Sequence, residues 1–397
     1  MRRLICVFLL LSLASTLTAQ DAKFADLTQR FDKFVADKDT SGAVLLIGKK
    51  DSIPYFEAIG QANVTNSTVM KKDSLFRIAS MTKPITAMAV MMLQDEGKLS
   101  VEDAVEKHLP EFKGQMMVQS TDKEKGTVTL GKPKRIITIR DLLTHTSGLA
   151  GYPAGLADLY TKRNRTLAEG TLAVSQLPLM FEPGTKWSYC NSGIDTLGRI
   201  IEVTSGMSYE KFLQTRIFDK LKMTNTTFYP TPKHLERMAT LYGKDKDKLV
   251  ESPKAMITTP KDAKHPIPAG GLVSCADDLA RLYQCLLRGT EINGEFLLKK
   301  ASFDAMTKTQ TGDIATGFTD GMSFGFGFAV VKEPKGVTAM LSAGTYGHGG
   351  AFGTQGWIDP KNDVFFVLLI QRNGLPNGDA SDMRKEFQTL GTKALAK

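Results

Sequence analysis

Residues 75–98 read LFRIASMTKPITAMAVMMLQDEGK, and the fold turns on this stretch. LFRIA is strand-like, and the residues from Ser80 to Leu93 keep a strongly apolar helical pattern. Pro84 suits the first helical turn, where a backbone N–H has no intrahelical partner. Residues three apart at a helix N-terminus share one face, so the Lys83 amine can approach the Ser80 hydroxyl. The partial positive charge of a helix N-terminus disfavours a protonated lysine and favours an oxyanion. A serine hydroxyl is a poor nucleophile until a base takes its proton. The bland alternative, a capping serine beside a solvated lysine, stays open on these residues alone. Ser-x-x-Lys recurs at Ser120–Lys123 and Ser208–Lys211. Ser120 lies in the polar stretch STDKEKG, with no element to hold it, and Ser208 reads as the N-cap of SYEKFLQTRIF.

Two further segments carry candidate chemistry. EPGTKWSYCNSG (182–193) holds the one Tyr-x-Asn of the chain, Tyr189-Cys190-Asn191. In extended or turn backbone, positions i and i+2 point the same way, so a phenol and an amide can face Ser80 and Lys83 together. YGHGGAFGTQGW (346–357) clusters glycines around His348, Gly349 and Gly350, and such a segment lets backbone approach a ligand closely. A backbone N–H there can complete an oxyanion hole with that of Ser80. Taken singly, a core tyrosine and a glycine turn explain these two segments equally well.

Outward from Ser80, strand-like pieces cover 42–48 and 52–60, preceded by an amphipathic helix over 22–37. Strand-like segments return at 326–332, 337–342, 353–358 and 363–371, and a helical pattern runs from Asp382 to Leu395. Between them Ser/Thr-x-x-Asp boxes at Ser100–Asp103, Thr138–Asp141 and Ser274–Asp277 predict helix starts, and 157–177, 192–204 and 208–221 read as helices. The terminal strands are therefore expected to share one sheet, with residues 20–90 and 300–397 forming a discontinuous α/β domain and 91–299 a helical one. Residues 1–19, with Arg2-Arg3, an apolar run from Leu4 to Leu13 and Leu17-Thr18-Ala19, read as a signal peptide, so export to the periplasm or medium is expected. The run is too short to span a bilayer comfortably, and no later stretch is long enough without charges. Cys190, Cys275 and Cys285 read as free thiols.

The 397 residues are 42% hydrophobic and 23% charged, which excludes a mostly disordered chain. A net charge of +9 permits nucleic acid, but the charge is dispersed and no aromatic-plus-basic motif accompanies it, so no nucleic-acid partner is expected. His-Glu-x-x-His, Cys-x-x-Cys, a phosphate-binding Gly-x-x-x-x-Gly-Lys-Ser/Thr and Gly-x-Ser-x-Gly are all missing, and no metal or cofactor is called for.

In this order, the three motifs resemble those of the serine beta-lactamase and penicillin-binding-protein superfamily, and more narrowly its class C beta-lactamase-like branch of esterases and D-alanyl-D-alanine carboxypeptidases. TIRDLLTHTSGL (138–149) and PAGGLVSCADDLARL (268–282) look like blocks of the same family, and the resemblance covers roughly residues 24–395. It implies an antiparallel sheet flanked by N- and C-terminal helices, an all-helical domain beside it, and a site in the cleft between. It further implies Ser80 as acylated nucleophile, Lys83 and Tyr189 as proton-transfer partners and Asn191 as an orienting amide. His348, Gly349 and Gly350 match the third motif, with Ala351 N–H an oxyanion donor beside that of Ser80.

Two departures stand out. Cys190 occupies a position commonly serine, and is given no role. His348 replaces the third-motif lysine of class C lactamases, removing fixed positive charge that would meet a beta-lactam carboxylate. The expectation is a serine hydrolase acting on a small acyl substrate, esterase-like, with a beta-lactamase or D-alanyl-D-alanine carboxypeptidase as the nearer alternative. A catalytically idle cell-wall-ligand binding protein is the alternative of another class. Trp187, Tyr152, Tyr346 and Phe352 are candidate walls of an acyl pocket, or simply core packing.

Overall fold

The computed structural model describes residues 22–396 except 157, 253–256 and 259. The signal-peptide reading of residues 1–19 lies outside the described residues. Helix α1 (Ala25–Ala36) leads into strands β1 (Gly42–Gly48), β2 (Tyr55–Asn63) and β3 (Thr68–Val69). A 3₁₀ turn (Ala79–Thr82) then opens helix α2 (Lys83–Asp95). Helices α3 (Ile139–Leu143), α4 (Leu167–Ser175) and α5 (Asn191–Ser205) make up much of the middle, before α6 (Ala276–Leu287). Strands β4 (Met322–Phe324), β5 (Ala329–Val331), β6 (Tyr346–Gly349), β7 (Gln355–Asp359) and β8 (Val364–Leu369) precede the last helix, α7 (Asp382–Ala396).

The eight strands form one antiparallel sheet in the order β4-β5-β6-β7-β8-β1-β2-β3. The two ends of the chain meet at its centre, where Val44 pairs with Leu369 and Ile47 with Phe366. Both central strands are buried throughout, and their alternation sorts side chains to two cores. Ala43, Leu45, Ile47, Phe366 and Leu368 join Phe31, Phe34 and Phe387 beneath α1 and α7. Val44, Leu46, Phe365, Val367 and Leu369 join the larger core on the opposite side, which includes α2, α5 and α6. Complete burial of Phe31 alone stabilises by roughly 1.5–3 kcal/mol.

Several expected boundaries move. Helix α6, placed by sequence in the helical segment 91–299, packs on β1 and β8 and so belongs with the sheet. Its strong amphipathicity reads the same whether the partner is a sheet or a helix. The Ser274 box does not form: Ser274 Oγ lies 2.8 Å from Thr226 Oγ1, and the helix starts after Cys275. At Ser100 the Asp103 carboxylate accepts the Ser100 N–H (2.9 Å), but the turn does not propagate and only Val105–His108 is helical. The Thr138–Asp141 box forms as expected. The helix read over 157–177 breaks at Arg163, whose φ is +49°, and α4 restarts at a Thr166–Glu169 capping box. Arg163 is fully buried, its guanidinium bound to the carbonyls of His265, Thr258, Phe228 and Pro266. Residues 337–342 are no strand; a 3₁₀ turn covers Gly336–Thr338, held by Lys335 N–H donating to Thr338 Oγ1 (3.2 Å). Of the segment read over 326–332, only Ala329–Val331 is strand (β5), and a further strand not read from sequence, β4, precedes it at Met322–Phe324.

Candidate active site

The Ser80 turn is set by its neighbours. Ala79 takes φ +46°, a left-handed conformation that costs an alanine roughly 1–3 kcal/mol and persists only where the surroundings over-determine it. They do: Ile78 N–H donates to Leu272 O (3.0 Å), and Thr82 Oγ1 donates to Ala79 O (2.8 Å). The turn leaves Ser80 half-buried and places Lys83 at the start of α2 with no exposed surface. Lys83 Nζ donates to Ser80 Oγ (3.0 Å) and to Ala269 O (2.6 Å). Among the described residues, only this one of the three Ser-x-x-Lys pairs is joined by a side-chain hydrogen bond. Ser120 lies in an exposed hairpin, and Ser208 stands at an N-cap position without a side-chain cap bond.

Burial strips the Lys83 ammonium of water and pushes its pKa down from 10.5 to about 7, while the charge of Asp195, and that of Cys190 when ionised, act in the opposite direction. Tyr189 comes up against both groups. The lysine nitrogen lies 4.6 Å from the Tyr189 ring centroid, and the phenol interacts with Ser80. Burial holds the phenol protonated, its pKa well above the usual value despite that interaction with Ser80. Asn191 begins α5, and its Oδ1 is buried without a partner, an acceptor available to a ligand donor.

His348 closes another side, 6.0 Å ring to ring from Tyr189. Its Nδ1 lies 2.7 Å from Gly349 O, which fixes the proton on Nδ1, while Nε2 is buried and unpartnered. Burial and the nearby Lys83 push its pKa to about 4, so the imidazole is neutral near pH 7. Beyond it the chain turns through Gly350, whose N–H donates to Thr354 O (2.7 Å), carrying Ala351 at the tip of the turn. Gly350 has no alternative: a Cβ there would lie 2.5 Å from Ile78 O and 2.2 Å from Thr354 Oγ1. That contact sets the third motif against the turn that carries Ser80.

Residues not singled out from sequence complete the walls. His145, at φ +59°, accepts Cys190 N–H at Nδ1 (3.2 Å) and Ser188 N–H at its carbonyl (2.9 Å), so it grips the chain on both sides of Tyr189. Its ring packs 4.6 Å from that of Tyr189, and burial holds it neutral. The signal was present in LLTHTSGL, but a lone histidine there gives no clue to its partner 44 residues on. Phe318 and Phe324 stand with Trp187 around Tyr189, with Phe318 4.9 Å and Trp187 6.2 Å from the tyrosine ring. Phe318 is 44% exposed and forms the outer lip. Of the proposed acyl walls, Trp187 is therefore at the site. Tyr152 lies beneath it, donating to Asp195 (2.8 Å). Tyr346 and Phe352 are core: the Tyr346 hydroxyl donates to Leu286 O (3.2 Å), and Phe352 is buried in the large cluster. Cys190 Sγ sits by Leu149 O (3.4 Å) and Ser192 Oγ (3.0 Å), and Cys190, Cys275 and Cys285 are all free and buried. Among the described residues no group of three or more His, Cys, Asp or Glu side chains is placed to hold a metal ion, and no helix is long and apolar enough to cross a membrane.

Comparison with known proteins gives a consistent picture. The beta-lactamase family profile matches residues 27–390. An uncharacterized protein of Mycobacterium tuberculosis is 32% identical over 352 residues, covering 83% of this chain and 86% of its own length. Esterase EstB of Burkholderia gladioli is 29% identical over 373 residues, covering 87% and 89%. Among solved structures, EstCE1, described as a hydrolase with promiscuous acyltransferase activity, superposes with a TM-score of 0.74 at 23% identity, covering 95% of this chain and 100% of its own.

Proposed function

The chain belongs to the beta-lactamase family, and from that premise we propose that it is an exported serine hydrolase cleaving neutral carboxylic esters through a covalent acyl-enzyme. The observation that carries this reading is a fully buried Lys83 amine, 3.0 Å from Ser80 Oγ, with its pKa brought to about 7. Lys83 is then substantially neutral at physiological pH and takes the Ser80 proton as Oγ attacks the ester carbonyl. The N–H groups of Ser80 and Ala351 receive the oxyanion. Tyr189, protonated and in contact with both Ser80 and Lys83, passes a proton to the departing alkoxide and recovers one from Lys83. Asn191 Oδ1 orients the lysine or the substrate. Water then attacks the acyl-enzyme, restoring Ser80 and releasing the acid.

Two features favour esters over beta-lactams and peptide C-termini. Those substrates bring a carboxylate, and His348 offers it a neutral ring. The lip is aromatic, formed by Trp187 and Phe318 with the buried Phe324 packed behind Trp187, which suits an apolar acyl or alcohol group. Ser80→Ala and wild type, compared on a short-chain aryl ester and a chromogenic cephalosporin, test the reading. Ester turnover is expected in wild type and its loss in Ser80→Ala. Equal turnover by both would remove Ser80 from the chemistry. Rapid cephalosporin turnover with weak esterase activity would favour a lactamase, and no turnover of either in wild type an idle binding protein.

A further inference from the structure

Asp195 is fully buried, yet no ammonium or guanidinium lies within ion-pair distance of it among the described residues. It lies inside the stretch Ser192–Gly198, every residue of which is buried. It stands one helical turn after Asn191, on the same face of α5. Both of its oxygens are used. Oδ2 takes the hydroxyls of Tyr152 (2.8 Å) and Tyr160 (2.6 Å), and Oδ1 takes the backbone N–H of Ala269 (2.8 Å). The carbonyl of that same Ala269 receives Lys83 Nζ at 2.6 Å. The preceding carbonyl, Pro268 O, is held at 2.8 Å by Thr86 Oγ1, from the next turn of α2. The acceptor of the lysine is thus clipped from two helices at once. Burying a carboxylate in a dry interior without an adjacent cation is costly, and three donors of this kind offset that cost.

We propose that Asp195 is a positioning residue for Lys83: through Ala269 it fixes the carbonyl that holds the amine, and its buried negative charge sets the pH at which that amine releases its proton. The inference rests on Lys83 acting as the proton acceptor. The charge of Asp195, and that of Cys190 when ionised, favours the protonated lysine, and Tyr189 and Ser80 face it directly. His145 and His348 feel the lysine charge from the other side, with Asp379 behind His348. His265 Nε2 is 3.8 Å from Asp195 Oδ2 and makes no hydrogen bond.

The test is the pH dependence of kcat/KM on an aryl ester. Asp195→Asn keeps the shape and removes the charge, so its low-pH limb moves about one pH unit toward acid relative to wild type. Thr86→Val releases the same clip without touching a charge, so kcat falls while the limb stays in place. A limb that does not move in Asp195→Asn, or that moves equally in Thr86→Val, overturns the proposal while leaving Ser80 and Lys83 as assigned. Should Asp195→Asn fail to fold, Tyr152→Phe/Tyr160→Phe serves instead. With two of its three donors gone the negative charge is no longer supported, so the limb moves toward acid as in Asp195→Asn; an unmoved or alkali-shifted limb overturns the proposal. Failure of the underlying reading is separate, since it would show as wild type lacking the limb altogether.

Discussion

Gly350→Ala isolates the contact that joins the third motif to the turn carrying Ser80, the proposed nucleophile. The added Cβ would lie 2.5 Å from Ile78 O, a backbone atom two residues before Ser80, and 2.2 Å from Thr354 Oγ1. Ordinary contact begins near 3.4 Å, so the Ala351 turn and the Ser80 turn must part by about 0.9 Å. Neither side yields easily. Thr354 Oγ1 already donates to Ile78 O (3.2 Å), and Ile78 N–H is held by Leu272 O. Misplacing an oxyanion donor by about 1 Å costs on the order of 100-fold in rate. The overpacking itself costs roughly 1–3 kcal/mol of stability. Steady-state kinetics on an aryl ester should therefore show kcat reduced about 100-fold, beside a lowered thermal midpoint. Gly151→Ala is the control, because a Cβ there meets nothing within 4 Å. If Gly350→Ala loses stability but keeps wild-type kcat, this turn does not supply the oxyanion donor and the reasoning fails.

Wild-type kcat/KM should follow the neutral form of Lys83. With its pKa lowered to about 7, the neutral fraction, and with it the rate, rises about tenfold between pH 6 and pH 8 and then levels. A rise continuing tenfold per unit beyond pH 8 would mean an ordinary lysine; His348, near 4, contributes no limb in this range. Phe318→Ala removes the exposed ring of the lip; if that ring makes an aromatic contact of about 0.5–1.5 kcal/mol with an apolar ester, KM rises about 2- to 12-fold with kcat nearly kept. An unchanged KM would show that the lip does not touch substrate.

The parts of the fold legible in the sequence are those whose burial is one-sided or total. GAVLLIG and VFFVLL announce themselves because strands covered on both faces have no polar alternation. The meeting of the two chain ends followed from that shared character. What stayed hidden depended on partners far along the chain. The stripe of α6 says that it packs, not that it packs on β1 and β8, and nothing in RNRT tells that Arg163 turns inward to four carbonyls. The site shows the same division. Ser80, Lys83, Tyr189 and His348 sit in short motifs whose local spacing suggests the chemistry proposed for them. His145, Phe318 and Asp195 reach the same place from other elements, and each has an innocent local reading, as a turn residue, a loop aromatic or a helix acid.

The pairing of β1 with β8 also dictates an order of events during folding. Val44 must wait for Leu369, so the central ladder cannot form until almost the whole chain exists. Until then one edge of GAVLLIG lacks its partner strand. The helical middle, with its short-range contacts, is free to organise first, while closure of the sheet pays the largest loop entropy last. Closure of the sheet, with α7 seated on β8, is therefore the step expected to be slow and aggregation-exposed. A truncation that removes only the last strand and helix would strand β1 unpaired on one edge, far from the residues deleted in sequence but adjacent to them in space.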